Sequence, residues 1–355
     1  MRKLLTFLCC IAFSASVCGC SKTATNAPDG PPPGAGQVNR RPASLGVAGD
    51  TANVNAPVQG GLVLMGGGAD VAAAFKWMIA RSGGGDVVII RASGTDAYNS
   101  YVNDLGQVNS VETLKIDSRQ LADNDSVAYI IRNAEMLFIA GGDQSNYMDY
   151  WKNTKTAAAI NYLLNVKKAP VGGTSAGCAI LGAAYFSGEK GSAVSADVLK
   201  NPYDETVALW RNDFLEAPFL HQVITDQHFL ARSREGRLLT FLARASKDWA
   251  MLAKGIAADE RTAVCIDQAG LARVYGSSKA YFVLPEASKL PEQVVPGLPL
   301  KWDHNGKAVR VYEIAGTTEG NGIFDVATFN IEKAAGGAWY WWSVSDAELH
   351  KQQQQ

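Results

Sequence analysis

Two short apolar runs, each bounded by three glycines, constrain this chain more than any other feature. Gly61-Leu62-Val63-Leu64-Met65 runs into Gly66-Gly67-Gly68. Val71, Ala74, Phe75, Met78 and Ile79 follow at i, i+3, i+4, i+7 and i+8, which is one apolar helical face. Gly83-Gly84-Gly85 then stops the helix, and Asp86-Val87-Val88-Ile89-Ile90 reads as a second strand. A strand–helix–strand unit of this length predicts two parallel strands joined by a crossover helix. Consecutive apolar residues without alternation predict strands buried on both faces.

The alternation continues. Residues 111–116 read as a strand, 126–133 as a helix, and 136–140 as a strand ending in Gly141-Gly142. Residues 154–166 read as a helix with Ala158, Leu163 and Leu164 inward, and 170–172 as a short strand. The expected fold is α/β: a mostly parallel sheet with helices on both faces. From residue 263 the character changes. Residues 264–267, 271–275, 280–284, 309–314 and 339–344 are strand-like runs broken by glycine. They predict an antiparallel C-terminal extension of the same sheet. No linker separates them, so residues 58–355 read as a single domain. Trp339-Tyr340-Trp341-Trp342 reads as a strand packing aromatics on both faces rather than as a sugar or peptide platform. Gly66–Gly68 lacks the G-x-G-x-x-G spacing, and no Walker lysine follows. It reads as a tight strand-to-helix turn, not a phosphate cradle.

The first residues form an address. Arg2 and Lys3 precede a mostly apolar stretch over 4–17, too short to span a bilayer comfortably. Val17-Cys18-Gly19-Cys20 resembles the lipobox of bacterial lipoproteins, which makes residues 1–19 a signal peptide and Cys20 the lipidated first mature residue. Ordinary signal cleavage near the same place is the alternative. Residues 20–57 read as a disordered tether, because 11 of the 37 residues over 21–57 are Pro or Gly. Without residues 1–19 the balance is 31 basic to 34 acidic residues, so no basic excess points to nucleic acid. Cys178 and Cys265 are then the two remaining cysteines besides Cys20, and the four histidines are scattered without metal-ligand spacing.

The strongest chemical signal is Gly173-Thr174-Ser175-Ala176-Gly177. G-x-S-x-G between a short strand and a helix-like run over 178–184 is the setting of a nucleophile elbow. A sharp strand-to-helix turn forces the serine into strained backbone geometry, and small flanking residues avoid collision. The helix start then offers backbone N–H groups to a developing oxyanion. A serine needs a base. His304 sits in the turn-like Asp303-His304-Asn305-Gly306 and His350 in a polar tail. His228, in the polar run Thr225-Asp226-Gln227-His228, is favoured over His221. Asp259 and Glu260, after Gly255-Ile256-Ala257-Ala258, stand out among candidate orienting acids. The order Ser…His…acid differs from that of α/β-hydrolases, which argues against a lipase or esterase of that class.

Four motifs in this order, Gly141-Gly142-Asp143-Gln144, Gly173-Thr174-Ser175-Ala176-Gly177, Asp226-Gln227-His228-Phe229 and Gly255-Ile256-Ala257-Ala258-Asp259-Glu260, resemble the cyanophycinase branch of the serine peptidase family that also contains peptidase E. The resemblance covers about residues 60–285. It implies an α/β sheet like that of class I glutamine amidotransferases, which carry cysteine at the elbow where this chain has Ser175. It implies Ser175 as nucleophile, His228 as base and Glu260 as orienting acid, with an oxyanion hole from the N–H groups of Gly142 and Ala176. It places Gln144, Asp226, Gln227, Arg232, Arg234 and Arg237 at the substrate pocket, and it implies a homodimer with neither metal nor cofactor.

The implied substrate is an aspartyl peptide or a cyanophycin-like polymer, cut at β-Asp-Arg linkages by an exported exopeptidase. An arginine suits a substrate carboxylate because its fork binds one bidentately. Arg234 and Arg237 share a helical face, whereas Arg232 is turned about 200 degrees from Arg234. Asp226 could meet a substrate guanidinium or amine. The alternatives are an α-aspartyl dipeptidase and a non-catalytic peptide-binding protein on the same scaffold.

Overall fold

The computed structural model describes residues 41–354. Residues 1–40, with the signal segment, Cys20 and most of the tether, lie outside the described residues. The opening expectation holds locally. The strand Gly61–Met65, the helix Ala72–Arg81 and the strand Asp86–Arg91 follow in order, with Ala74, Phe75, Met78 and Ile79 buried on the helix's inner face.

The mostly parallel single sheet is corrected. The strands form two sheets, and nine of their fifteen pairings are antiparallel. The first sheet runs Ser44–Gly49, Ser110–Lys115, Asp86–Arg91, Met136–Ile139, Pro170–Thr174, Gly61–Met65, Thr262–Asp267, Leu271–Gly276, Ile323–Asp325. Its five strands from Ser110–Lys115 to Gly61–Met65 are parallel, and both flanks are antiparallel. The second sheet runs Glu348–Gln353, Gly337–Ser345, Val309–Ala315, Lys279–Leu284, Lys254–Ala258, Val223–Asp226, Ala184–Phe186, Leu209–Arg211. Within it, Lys254–Ala258, Val223–Asp226 and Ala184–Phe186 are parallel neighbours.

The expected antiparallel extension is therefore shared between sheets. The chain leaves Lys254–Ala258 in the second sheet, turns at Asp259, Glu260 and Arg261, and enters Thr262–Asp267 in the first. It returns through Gly276, Ser277 and Ser278 to Lys279–Leu284. The corners are pinned to each other. Arg261 O accepts the Ser277 N–H at 2.9 Å, and the Ser278 hydroxyl donates to Asp259 Oδ2 at 2.6 Å.

Period-two alternation explains the layers. In the first sheet, Val63, Met65, Ile89, Phe138 and Cys265 face one core with Phe75 and Met78, while Leu62, Leu64, Ile90, Ile139 and Ile266 face another. That second core also takes Ile256, Phe282 and Ile314 of the other sheet. The opposite face of the second sheet, with Ala257, Tyr281, Val283 and Trp342, packs on the helix Glu235–Trp249 through Leu238, Leu239 and Leu242. The Trp-rich strand does carry aromatics on both faces: Trp339 packs on Tyr312 and Trp342 on Tyr281.

Three local expectations change. Residues 44–49, assigned to the tether, form an edge strand, with Ser44 opposite Leu114 and Gly49 opposite Ser110. The Glu112 carboxylate, buried there, pairs with Arg41. In the helix Lys155–Tyr162, Leu163 and Leu164 beyond its end are buried as expected, but Ala158 is exposed because Thr156, Ala159 and Ile160 set the inner face. The helix after Ser175 is a single turn, Ala176–Ala179, and the chain then extends into Ala184–Phe186.

Candidate active site

The elbow forms where the parallel strand Pro170–Thr174 ends. Ser175 has φ 52° and ψ −118°, a strained combination for a residue with a side chain. The turn closes because Gly173 and Gly177 touch: a Cβ on Gly173 would lie 2.4 Å from the Gly177 carbonyl carbon. Nothing larger than glycine fits at that crossing. Ser175 thus projects beyond the carboxyl end of the strand at the start of the next helical turn.

His228 and Glu260 come from the other sheet. His228 follows Val223–Asp226, and Glu260 follows the parallel neighbour Lys254–Ala258. Ser175 Oγ lies 2.7 Å from His228 Nε2, and His228 Nδ1 lies 2.7 Å from Glu260 Oε1. An ionised carboxylate only accepts, so Nδ1 carries the proton and Nε2 is left to accept from the serine hydroxyl. Burial holds the imidazole below its usual pKa. The hydrogen bond to Glu260 opposes that shift, and the nearby charges of Arg232 and Arg234 add to it. The neutral, accepting form is therefore favoured.

The three are tied to one short stretch of backbone. Met65 O accepts the Ser175 N–H at 3.0 Å, Gly66 O accepts the His228 N–H at 2.7 Å, and Gly67 O accepts the Arg261 N–H at 2.8 Å. This is the Gly66–Gly68 turn, whose role was invisible in the sequence because its partners lie more than a hundred residues away. Asp259, the other candidate acid, is engaged elsewhere. It accepts the N–H groups of Leu230 and Ala231, both at 2.9 Å, and the Ser278 hydroxyl. Burial would raise its pKa, but the Ser278 bond and backbone N–H bonds outweigh that and hold the carboxyl below the usual range.

Other expected residues divide. Gly141 abuts the elbow: its Cβ, were there one, would sit 3.2 Å from that of Ser175. Gly142 is next in the chain and exposed. Gln144 opens the helix Gln144–Trp151 and lies against Gly188, where an added Cβ would come within 3.0 Å of its Nε2. Arg232 is exposed beside His228.

Asp226 and Arg237, expected at the pocket, are instead sealed against each other. Arg237 Nε donates to Asp226 Oδ2 at 2.9 Å and Nη2 donates to Oδ1, and both side chains are 1% exposed. Residue 226 is the last of its strand and points into the layer under Glu235–Trp249, so it meets that helix rather than solvent. Arg234 is buried too. It donates to Gln227 O at 2.9 Å, and burial together with the Arg237 charge pushes its guanidinium down to about 10. Gln227 is buried beside them, and its Oε1 has no hydrogen-bond partner among the described residues. Of the three expected pocket arginines, Arg232 alone is open to a ligand.

The other histidines stand apart: His221 precedes Val223–Asp226, His304 contacts Leu290 O, and His350 meets Ser345. Cys178 and Cys265 are both buried free thiols. Among the described residues no group of three His, Cys, Asp or Glu could hold a metal ion, and no helix is long and apolar enough to cross a membrane.

Residues 62–273 match the sequence model of peptidase family S51, more than half of the chain and all of the serine–histidine–glutamate constellation. The chain belongs to peptidase family S51. Within the S51 family it is similar to the cyanophycinase of Trichormus variabilis, 28% identical over 175 residues, which are 49% of this chain and 53% of that one. It is also similar to the cyanophycinase of Synechococcus elongatus, 27% identical over 238 residues, 63% of this chain and 68% of that one. The S51 chain thus spans about half the length of the first of these relatives. A solved peptidase from an acI-B1 Actinobacterium superposes with a TM-score of 0.47 at 17% identity, over 74% of this chain and 98% of that one.

Proposed function

We propose that this S51 family member is a serine exopeptidase that cuts β-aspartyl linkages of the β-Asp-Arg type. The observation that carries the chemistry is the continuous Ser175–His228–Glu260 chain, with both contacts at 2.7 Å. Ser175 Oγ attacks the scissile carbonyl carbon as its proton passes to His228 Nε2. Glu260 keeps the imidazole in the accepting tautomer and balances the imidazolium that forms. The N–H groups of Gly142 and Ala176 take the oxyanion. His228 returns the proton to the departing amine, leaving an ester on Ser175. Water, deprotonated by the same imidazole, then releases the acid.

The substrate class rests on the cyanophycinase relatives and on Arg232, an exposed guanidinium beside His228 that suits a carboxylate near the scissile bond. On the strength of residues 1–20, the protein is exported and held to a membrane by a lipid on Cys20. The test is mass-spectrometric product analysis with cyanophycin, β-Asp-Arg and a panel of α-aspartyl dipeptides. Release of Asp-Arg units is expected. Faster cleavage of the α-linked set overturns the linkage assignment. Ser175→Ala is expected to lower turnover by about 10⁴-fold or more with the fold intact, and wild-type turnover in that variant overturns the nucleophile.

A further inference from the structure

The two halves of the site come from different sheets, so something must fix their mutual register to a few tenths of an ångström. Three successive carbonyls of one strand end meet the three contributors in turn: Met65 O the N–H of Ser175, Gly66 O that of His228, and Gly67 O that of Arg261, the neighbour of Glu260. Gly66 N–H also donates to Thr262 O at 2.9 Å, which ties the same stretch to the strand that follows the Glu260 corner.

Side-chain space tells the same story. A Cβ on Gly67 would lie 2.3 Å from His228 Cε1, 2.6 Å from Nε2 and 3.0 Å from Nδ1. The nearest atoms it would meet are those of the imidazole, not of the backbone. The ring rests on the bare Gly67 backbone, with its serine-facing nitrogen among the closest atoms. At Gly68, a Cβ would come within 3.1 Å of Glu260 Cβ and Oε2.

We propose that Met65-Gly66-Gly67 is the template that sets the spacing of the serine, histidine and glutamate, and that Gly67 is a positioning residue for the His228 ring. The inference rests on the triad reading above. The role assigned to Gly67 is toward the His228 ring. It acts by letting the imidazole settle where Nε2 can reach Ser175 Oγ and Nδ1 can reach Glu260 at once. A methyl group there displaces the ring from that seat; because Gly67 has φ +100°, it also strains the backbone, and the comparison variant must carry strain of that kind. Gly66 is a poor probe, since its Cβ would strike Asp259 O at 2.0 Å and disturb the fold itself.

The experiment compares Gly67→Ala with Gly297→Ala on β-Asp-Arg hydrolysis. Gly297 has φ +75° and no atom within 4 Å of a built Cβ, so its replacement carries backbone strain without a collision. Gly67→Ala is expected to lower kcat about 10²-fold or more with KM within a few-fold, at a melting temperature close to that of Gly297→Ala. In a His228→Ala background, adding Gly67→Ala is expected to cost no further activity. Histidine NMR, with four imidazoles to assign, is expected to show the His228 titration moved in Gly67→Ala and unmoved in Gly297→Ala. A Gly67→Ala enzyme with wild-type kcat, or a further loss in the His228→Ala background, overturns the template. Full activity of His228→Ala itself overturns the triad reading, and the template with it.

Discussion

Two carboxylate contacts, one to a guanidinium and one to an imidazole, stand at the ends of neighbouring strands and behave as opposites. Asp226 and Arg237 are each 1% exposed and bound bidentately. Glu260 is 34% exposed, and its partner His228 8%. Asp226 ends a strand and Glu260 stands just beyond the end of the neighbouring one. One side chain falls into the layer beneath the helix Glu235–Trp249, and the other opens at a corner between sheets. The sealed pair offers nothing to a substrate: the Asp226 oxygens accept from Arg237 and from the Gln227 N–H, and neither side chain reaches solvent. The open pair can change protonation. Burial separates a carboxylate that holds the scaffold from one that can serve chemistry.

That contrast can be tested along a scale of folding stability. Asp226→Ala strands a buried guanidinium, and urea unfolding is expected to show a loss of about 3–5 kcal/mol. A loss below about 1 kcal/mol would mean that water reaches Arg237 and that the two contacts are alike. Glu260→Gln is expected to cost no more than about 1 kcal/mol in the same measurement, because its carboxylate is partly hydrated. It should nonetheless lower kcat by about 10²-fold or more through loss of the imidazole's charged partner.

Arg232→Ala is expected to leave stability nearly unchanged, to raise KM through loss of the carboxylate contact, and to shift the pH profile. His228 in the folded protein lies below its ordinary value of 6.5, chiefly through burial. The neutral ring therefore persists as pH falls past 6.5, and the acid limb of kcat/KM is expected below that pH. The Arg232 charge contributes to the lowering, so its removal should move the limb upward. The same sign governs stability. The unfolded histidine takes up a proton first, so this group's contribution is lost as pH falls from 6.5 toward the folded pKa.

The residues that were legible beforehand were those whose meaning is local. Val71, Ala74, Phe75, Met78 and Ile79 announce a helix by spacing alone, and Gly173 and Gly177 announce the elbow because a turn that tight admits nothing else. Sheet membership was not local. Lys279–Leu284 and Thr262–Asp267 have the same apolar pattern, and only the corners at Glu260–Arg261 and Gly276–Ser278 decide which sheet each joins. Ser44–Gly49 was hidden by the prolines and glycines around it, although an edge strand needs pairing on one side only. Asp226 and Arg237 had the right chemistry for a ligand but had each other within reach. Gly67 carried a plain glycine-turn signal, and its meaning lay in an imidazole supplied 161 positions later.

The edge strand Ser44–Gly49 has a geometric consequence. It runs antiparallel to Ser110–Lys115, so Ser44 lies level with the end of the sheet from which Ser175 projects. Four strand spacings, about 19 Å, separate it sideways from the elbow strand. The described chain therefore enters the sheet at the end that carries the elbow and not at the opposite end.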